Sequence, residues 1–126
     1  MNKDDVIANM CRLAVNWKTV GDMSINDWVR ASGWLLHRES ISLDDIKGFL
    51  KVAPELVDGW LLYSEDKRCD SGWYFTNDEM LGYFVVGHYG SNTGYTKVEK
   101  YRDSIEACAV FIMNEFNGFK LMSRSG

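Results

Sequence analysis

The chain has 126 residues, of which 46% are hydrophobic and 25% are charged, and its formal net charge is −4. This size and composition predict one soluble globular domain that buries an ordinary core without metal or disulfide staples. The excess of carboxylates argues against nucleic acid as the direct ligand, because phosphates and an acidic surface repel each other. Residues 1–5 lack the apolar core of a signal peptide, and no apolar run approaches membrane-spanning length. We therefore expect a cytoplasmic protein without a membrane contact.

The first predicted helix begins near Asp4, a candidate N-cap, and should end before Gly21. Its inner stripe consists of apolar residues at three- and four-residue steps, as on one side of a helix. These residues are Val6, Met10, Leu13, Ala14 and Trp17.

Two further helices are predicted in the first half of the chain. Ser24 opens the second with a capping pattern, and Gly33 lies inside it, where a glycine weakens a helix. Ser42 and Asp45 open the third, and Pro54 closes it or begins a short turn. The inner side of the second helix is predicted as Ile25, Trp28, Val29, Leu35 and Leu36, and that of the third as Leu43, Ile46, Leu50 and Ala53.

From Gly59 onward the pattern changes to that of antiparallel strands. Residues 77–79 are predicted as a turn and residues 90–94 as a hairpin loop. The predicted strands are 60–63, 73–76, 80–89 and 95–101.

The most apolar helical segment follows the strands, over residues 103–116. Asp103 is its candidate N-cap, with Glu106 completing a capping box, and Gly118 is its predicted stop. Apolar residues occupy both sides, which is typical of a helix buried on more than one side. The sequence therefore predicts an α+β fold: three N-terminal helices, an antiparallel meander of about four strands, and a buried C-terminal helix packed on the sheet.

Few residues offer catalytic chemistry. His37 and His88 are the only candidate bases near neutral pH, and no local hydrolase or metalloprotease motif surrounds them. Cys11, Cys69 and Cys108 lack the spacing of a metal site and predict reduced thiols, with Cys108 acting as a buried small hydrophobe. We predict no catalytic residue, no metal and no cofactor.

Carboxylates are densest over residues 54–79, where seven of them accompany only Lys67 and Arg68, for a net charge of −5. Tryptophans and tyrosines alternate with these acids, and on strands about half of the rings should lie outside the core. Exposed rings among carboxylates suit a basic protein partner, although a solvated acidic face or rings packed beneath the helices would give the same pattern. The predicted partner-binding residues are Asp58, Glu65, Asp66, Asp70, Trp73, Asp78, Glu79 and Tyr89.

Four segments of the second half of the chain carry a resemblance to a known family. They are 53–60 (APELVDGW), 71–74 (SGWY), 86–89 (VGHY) and 101–109 (YRDSIEACA). Together they resemble small bacterial immunity proteins that accompany polymorphic or contact-dependent growth-inhibition toxins. The resemblance implies a cytoplasmic, non-enzymatic protein that binds one cognate toxin domain, often a nuclease, and blocks its active site or its access to substrate. The alternatives are a small intracellular regulator or adaptor, which a phage could encode, and a small enzyme that uses His88.

Overall fold

The computed structural model describes residues 2–19, 24–66, 72–90 and 94–124. Within them the predicted α+β class is confirmed: helices come first, an antiparallel sheet follows, and a last helix contacts the sheet. Five helices rather than three precede the sheet in this part of the chain. The elements are α1 (Lys3–Thr19), α2 (Ile25–Ser32), α3 (Trp34–His37), α4 (Leu43–Val52), α5 (Leu56–Asp66), β1 (Gly72–Asp78), β2 (Tyr83–Gly90), β3 (Gly94–Tyr101) and α6 (Ser104–Arg124).

Helix α6 is the centre of the fold, as predicted. It contacts α2, α4, α5 and all three strands, so it is covered on several sides. Asp103 caps it by accepting a 2.9 Å hydrogen bond from the backbone N–H of Ile105. The predicted stop at Gly118 is wrong, because the helix continues through it to Arg124. Its fully buried residues are Ala107, Cys108, Ala109, Phe111, Ile112 and Phe116.

Helix α1 begins two residues earlier than the candidate cap Asp4 predicts, because Asn2 and not Asp4 caps it. Oδ1 of Asn2 accepts a 2.8 Å hydrogen bond from the N–H of Asp5, and the Asp5 carboxylate accepts from the N–H of Asn2 at 3.4 Å. The predicted stripe is buried except for Trp17, which is half-buried against the core.

The predicted second helix is divided at Gly33. Its N-cap is confirmed, since Ser24 Oγ accepts from the N–H of Asp27. Gly33 then adopts a left-handed conformation with φ 89°, which ends α2 and turns the chain into α3. Because of this turn Trp34 is buried, whereas Leu36, predicted on the inner side, is 89% exposed.

The capping box of the third predicted helix, α4, is confirmed. Ser42 Oγ accepts from the N–H of Asp45, and the Asp45 carboxylate accepts from the N–H of Ser42 at 2.9 Å. That backbone hydrogen bond lowers the pKa of Asp45, as expected for a carboxylate whose charged form is stabilised. Ile46 and Leu50 of the predicted stripe are buried.

Residues 60–63 were predicted as a strand and lie instead inside α5. The carbonyl of Pro54 accepts from the N–H of Val57, so the proline begins a short turn, as predicted, and this turn leads into α5 at Leu56. Trp60 and Tyr63 are buried, and Trp60 Nε1 donates a 2.8 Å hydrogen bond to the carbonyl of Cys11 on α1.

The described sheet has three antiparallel strands in the order β1-β2-β3. Phe75 of β1 lies opposite Val86 of β2, and both are buried on the face that α6 covers. The predicted turn at 77–79 is displaced: β1 includes Asp78, whose Oδ1 accepts from the N–H of Leu81, and β2 begins at Tyr83. Of the predicted hairpin loop, residues 91–93 lie outside the described part. No helix in the described ranges is both long enough and apolar enough to cross a membrane.

Candidate functional site

One side of α5 faces solvent and carries most of the predicted acidic residues that the structure describes. Leu62 follows Asp58 by four residues and Glu65 follows Asp58 by seven. This spacing places the three side chains on one side of a helix. Both carboxylates are exposed, and the leucine between them is 47% exposed. Glu55, which precedes the helix by one residue, is exposed as well. We call Glu55, Asp58, Leu62 and Glu65 the α5 stripe.

Three hydrogen bonds fix the rotation of α5, and therefore the direction of the stripe. Trp60 bonds to α1, as described above. Tyr63 donates from its hydroxyl to Oε2 of Glu115 on α6 at 2.8 Å. Ser64 Oγ accepts from the N–H of Phe75 on β1 at 2.8 Å. A helix anchored to three neighbours presents its outer side with little freedom to rotate.

A second acidic and apolar segment lies at the turn between β1 and β2. Asp78 is half-buried and holds the turn through its bond to Leu81, while Glu79 is exposed. Met80 follows and is 96% exposed, and Leu81 is exposed too. Met80 and Leu81 were predicted to begin a strand, so sequence reasoning missed them as surface residues.

Trp73 and Tyr89 lie on opposite faces of the sheet. Trp73 shares the face of Phe75, packs partly buried against the core, and meets the His88 ring edge-on at 5.0 Å. Tyr89 lies on the other face, where it is exposed. The two rings therefore cannot contact one flat partner surface together.

The face opposite α6 carries a group of tyrosines. The ring of Tyr95 meets those of Tyr74 and Tyr89 edge-on, with centroids 5.7 and 5.0 Å apart. Burial raises the pKa of Tyr74, and the nearby Tyr95 adds to this effect. We call this surface the outer sheet face. Its side chains are those of Tyr74, Thr76, Asp78, Tyr83, Val85, Tyr89, Tyr95, Val98, Lys100 and Arg102.

The eight predicted partner-binding residues are thus distributed over several places. Asp58 and Glu65 share the α5 stripe, with Asp66 ending the same helix, and Asp78 and Glu79 share the turn. Trp73 and Tyr89 are separated by the sheet, and Asp70 lies outside the described residues. Leu62 and the outer sheet face were not predicted from the sequence. The apolar residues Val57, Trp60 and Tyr63 recur at three-residue steps, and this helical period was the signal that could have placed Leu62 on the outer side of a helix.

The candidate catalytic groups do not form a reactive centre in the described part of the chain. Cys11 and Cys108 are buried, and burial raises the pKa of Cys11 to about 12 and that of Cys108 well above its usual value. His37 lines an open depression of about 290 Å³, and His88 packs against Trp73. No group of three His, Cys, Asp or Glu side chains among the described residues is arranged to hold a metal ion. Cys69 lies outside those residues.

Comparisons with known proteins assign no family to this arrangement of helices and sheet. No protein-family model, no curated protein and no solved structure matches the chain.

Proposed function

We propose that the protein is a cytoplasmic immunity protein that binds a cognate bacterial toxin domain and neutralises it without catalysing a reaction. The α5 stripe is the observation that carries this proposal. It combines exposed carboxylates with a half-exposed leucine on a helix that is hydrogen-bonded to α1, α6 and β1. The resemblance of the second half of the chain to immunity proteins supports the same function.

The charge of the stripe indicates the chemistry of the partner. Residues 54–66 contain four carboxylates and no Lys or Arg, so the field around α5 is negative. Such a field attracts a basic protein and accelerates its association. A nuclease toxin binds phosphates through Lys and Arg, and carboxylates placed on those cations exclude the nucleic acid. The inhibitor then acts by occupying the substrate surface of the toxin.

The residues of the stripe have different roles in this proposal. Asp58 and Glu65 steer the encounter and pair with cations at the rim of the contact. Leu62 is desolvated at its centre, where hot-spot residues are found. Because α5 is already fixed by buried hydrogen bonds, binding costs little ordering of this helix. The turn at Glu79 and Met80 is a second point of contact for a toxin that extends beyond α5.

Affinity capture from the cells that make the protein tests the identity of the partner. We expect a basic toxin domain to co-purify, and expression of the chain to restore growth to cells that express this toxin. Capture of a non-toxic protein would instead favour the regulator or adaptor. Turnover of a small molecule that is lost on His88→Ala would favour the enzyme.

A paired comparison of variants tests the α5 stripe itself. The test pair is Asp58→Lys with Glu65→Lys, and the control pair is Glu39→Lys with Asp44→Lys, which changes the net charge equally at exposed sites elsewhere. Asp44 and Asp58 both lie in the first turn of a helix, so the effect on the helix dipole is similar. We expect the test pair to slow association with the toxin roughly tenfold or more at low salt and to reduce the salt dependence of the association rate. The control pair should keep most of the association rate and most of its salt dependence. Unchanged association by a folded test pair, with growth still restored, would place the interface on another surface.

A further inference from the structure

Strand β3 forms an edge of the described sheet, because the strand order is β1-β2-β3. The opposite edge, β1, is covered by α5, where Ser64 Oγ accepts from the N–H of Phe75. No described strand pairs with the other side of β3, and all three residues 98–100 are exposed. Glu99 is among them, although it lies opposite the buried Val86. The strand is therefore open to solvent along this side, which we call the free edge.

The hydrogen bond of Phe75 determines which backbone groups point out of the sheet at the free edge. In antiparallel strands, hydrogen-bonded and non-hydrogen-bonded pairs alternate, and each residue points its N–H and C=O to one side. The N–H of Phe75 points away from β2, so Val86, which lies opposite, bonds to Glu99 of β3 instead. The neighbours of Glu99, which are Val98 and Lys100, therefore point their N–H and C=O groups outward. Such an edge is a template for an extended chain.

Two exposed cations lie beside the free edge, on the outer sheet face. Lys100 and Arg102 lie 5.8 and 5.9 Å from the centre of the Tyr83 ring. Neither of them forms an ion pair with a described residue. Val98 is on the same face of β3 and is 51% exposed. A chain that pairs with this edge is therefore complementary when it places carboxylates opposite the two cations and an apolar side chain opposite Val98.

We propose that the free edge pairs with an extended acidic segment of a partner protein. The segment adds a strand beside β3 and exchanges backbone hydrogen bonds with Val98 and Lys100. These bonds supply affinity, and the side chains beside the edge select the sequence of the segment. The inference goes beyond the proposed function, because α5 lies along the opposite edge of the sheet and a toxin bound to the α5 stripe leaves β3 accessible.

The charges favour this partner over a second copy of the chain. Strand β3 contains one carboxylate, Glu99, which already accepts from the hydroxyl of Tyr101. Strand alternation places Glu99 on the face opposite Lys100. The β3 strand of a second copy therefore offers no carboxylate to Lys100 or Arg102. A nucleic acid has no alternating N–H and C=O groups to match the edge, and the net charge of −4 opposes a polyphosphate.

Nuclear magnetic resonance of the full chain with a synthetic peptide tests the proposal. The probe is a heptapeptide with blocked ends in which two aspartates and a valine alternate with threonines (TDTDTVT). We expect saturable shifts of the Val98 and Lys100 amide signals, and slower hydrogen exchange at both, at up to about 5 mM peptide. A matched peptide, N-methylated at the aspartates and the valine, keeps the charge but cannot donate to the edge. It should bind roughly tenfold more weakly or less than that.

Charge reversal tests the selection of an acidic segment. Lys100→Glu combined with Arg102→Glu should weaken binding of the aspartate peptide roughly tenfold or more and allow binding of a peptide with lysines in place of the aspartates. The control pair is Arg30→Glu with Lys51→Glu, which changes the net charge equally at exposed cations on α2 and α4. The control pair should retain most of the affinity for the aspartate peptide.

Three results would overturn the proposal. One is the absence of shifts at Val98 and Lys100 in the presence of the aspartate peptide. Another is equal binding of the N-methylated peptide, which would mean attraction by charge without strand pairing and which requires no variant of the protein. The third is a change of the same amide signals with protein concentration alone, which would assign the edge to a second copy. Toxin binding is measured separately, so failure here leaves the proposed function standing.

Discussion

The hydroxyl of Tyr63 on α5 donates a 2.8 Å hydrogen bond to Oε2 of Glu115 on α6. Both side chains are buried, so a carboxylate lies inside the core and takes part of its solvation from a tyrosine on the neighbouring helix. The bond joins the helix at the centre of the fold to the helix that carries the α5 stripe. Packing of the core and presentation of the candidate binding surface therefore depend on the same contact.

Tyr63→Phe removes only the hydroxyl and should destabilise the protein by about 1–3 kcal/mol, because a buried carboxylate loses a donor. Tyr101→Phe is the matched control, since Tyr101 also donates to a glutamate, Glu99, but in an exposed pair. Its cost should be below about 1 kcal/mol. Denaturant unfolding of both variants gives the comparison. Equal effects would mean that burial of the Tyr63–Glu115 pair contributes nothing to the fold.

Gly59 allows α5 to approach α1 closely. A Cβ added there would lie 2.9 Å from Cγ2 of Val15, closer than real Cβ contacts come. We expect Gly59→Ala to destabilise the protein by about 1–3 kcal/mol through overpacking, despite the better helix propensity of alanine.

Gly48 on α4 is the control for this change, because a Cβ there has no neighbour within 4 Å. Gly48→Ala should stabilise the protein by about 0.5–1 kcal/mol. Val15→Ala should relieve the clash, so that Gly59→Ala costs less in that background than alone. Thermal midpoints of the four variants provide the test, and identical costs of Gly59→Ala in both backgrounds would show that Val15 is not the obstacle.

Local signals predicted the starts of α2, α4 and α6 and the central position of α6 in this fold. Ser24, Ser42 and Asp103 each accept a backbone hydrogen bond at a helix start, as their positions indicated. A capping side chain acts within three residues, so its effect is visible in sequence. The burial of α6 followed from apolar residues on both of its sides.

The errors arose where tertiary packing decides the structure. Residues 60–63 form a short apolar run whose period does not distinguish a strand from a buried helix. Gly33 and Gly118 look alike in sequence, but only Gly33 adopts a left-handed conformation and interrupts its helix. The predicted site placed acidic and aromatic residues that are close in sequence on one surface. The structure separates Trp73 from the α5 stripe, because residues 60–63 form a helix instead of the first predicted strand and because alternation along β1 directs Trp73 to the face of Phe75.

Ile112 is fully buried on α6, between the helices and the sheet. Ile112→Ala should cost about 2–5 kcal/mol, because it leaves a cavity where a branched side chain was packed. Val52→Ala, at an exposed position, should change stability by less than about 0.5 kcal/mol. The midpoints of chemical unfolding measure both, and a small effect at Ile112 would contradict the central position of α6.

Cys11 and Cys108 are buried thiols with raised pKa values, so the nucleophilic thiolate is scarce in the folded protein. We expect an alkylating reagent to leave both unmodified under native conditions and to modify both after unfolding. Mass spectrometry of peptides resolves the cysteines individually. Rapid native labelling of Cys108 would show that α6 opens or that its thiol is accessible.

The same thiols predict a loss of stability at alkaline pH. Burial raises the pKa of Cys11 from 9.0 to about 12, so between these values the unfolded chain has lost a proton that the folded protein retains. The contribution of this thiol to the free energy of unfolding is fully present below its pKa in the unfolded chain. It is lost as the pH rises toward its pKa in the folded protein, at up to about 1.4 kcal/mol per pH unit for one such group. Cys108, with its pKa raised by burial as well, adds to the slope. Unfolding free energies at pH 7, 9, 10 and 11 should therefore fall progressively above pH 9, and Cys11→Ala should make that decline shallower. A decline of equal steepness in this variant would assign the alkaline sensitivity to other groups.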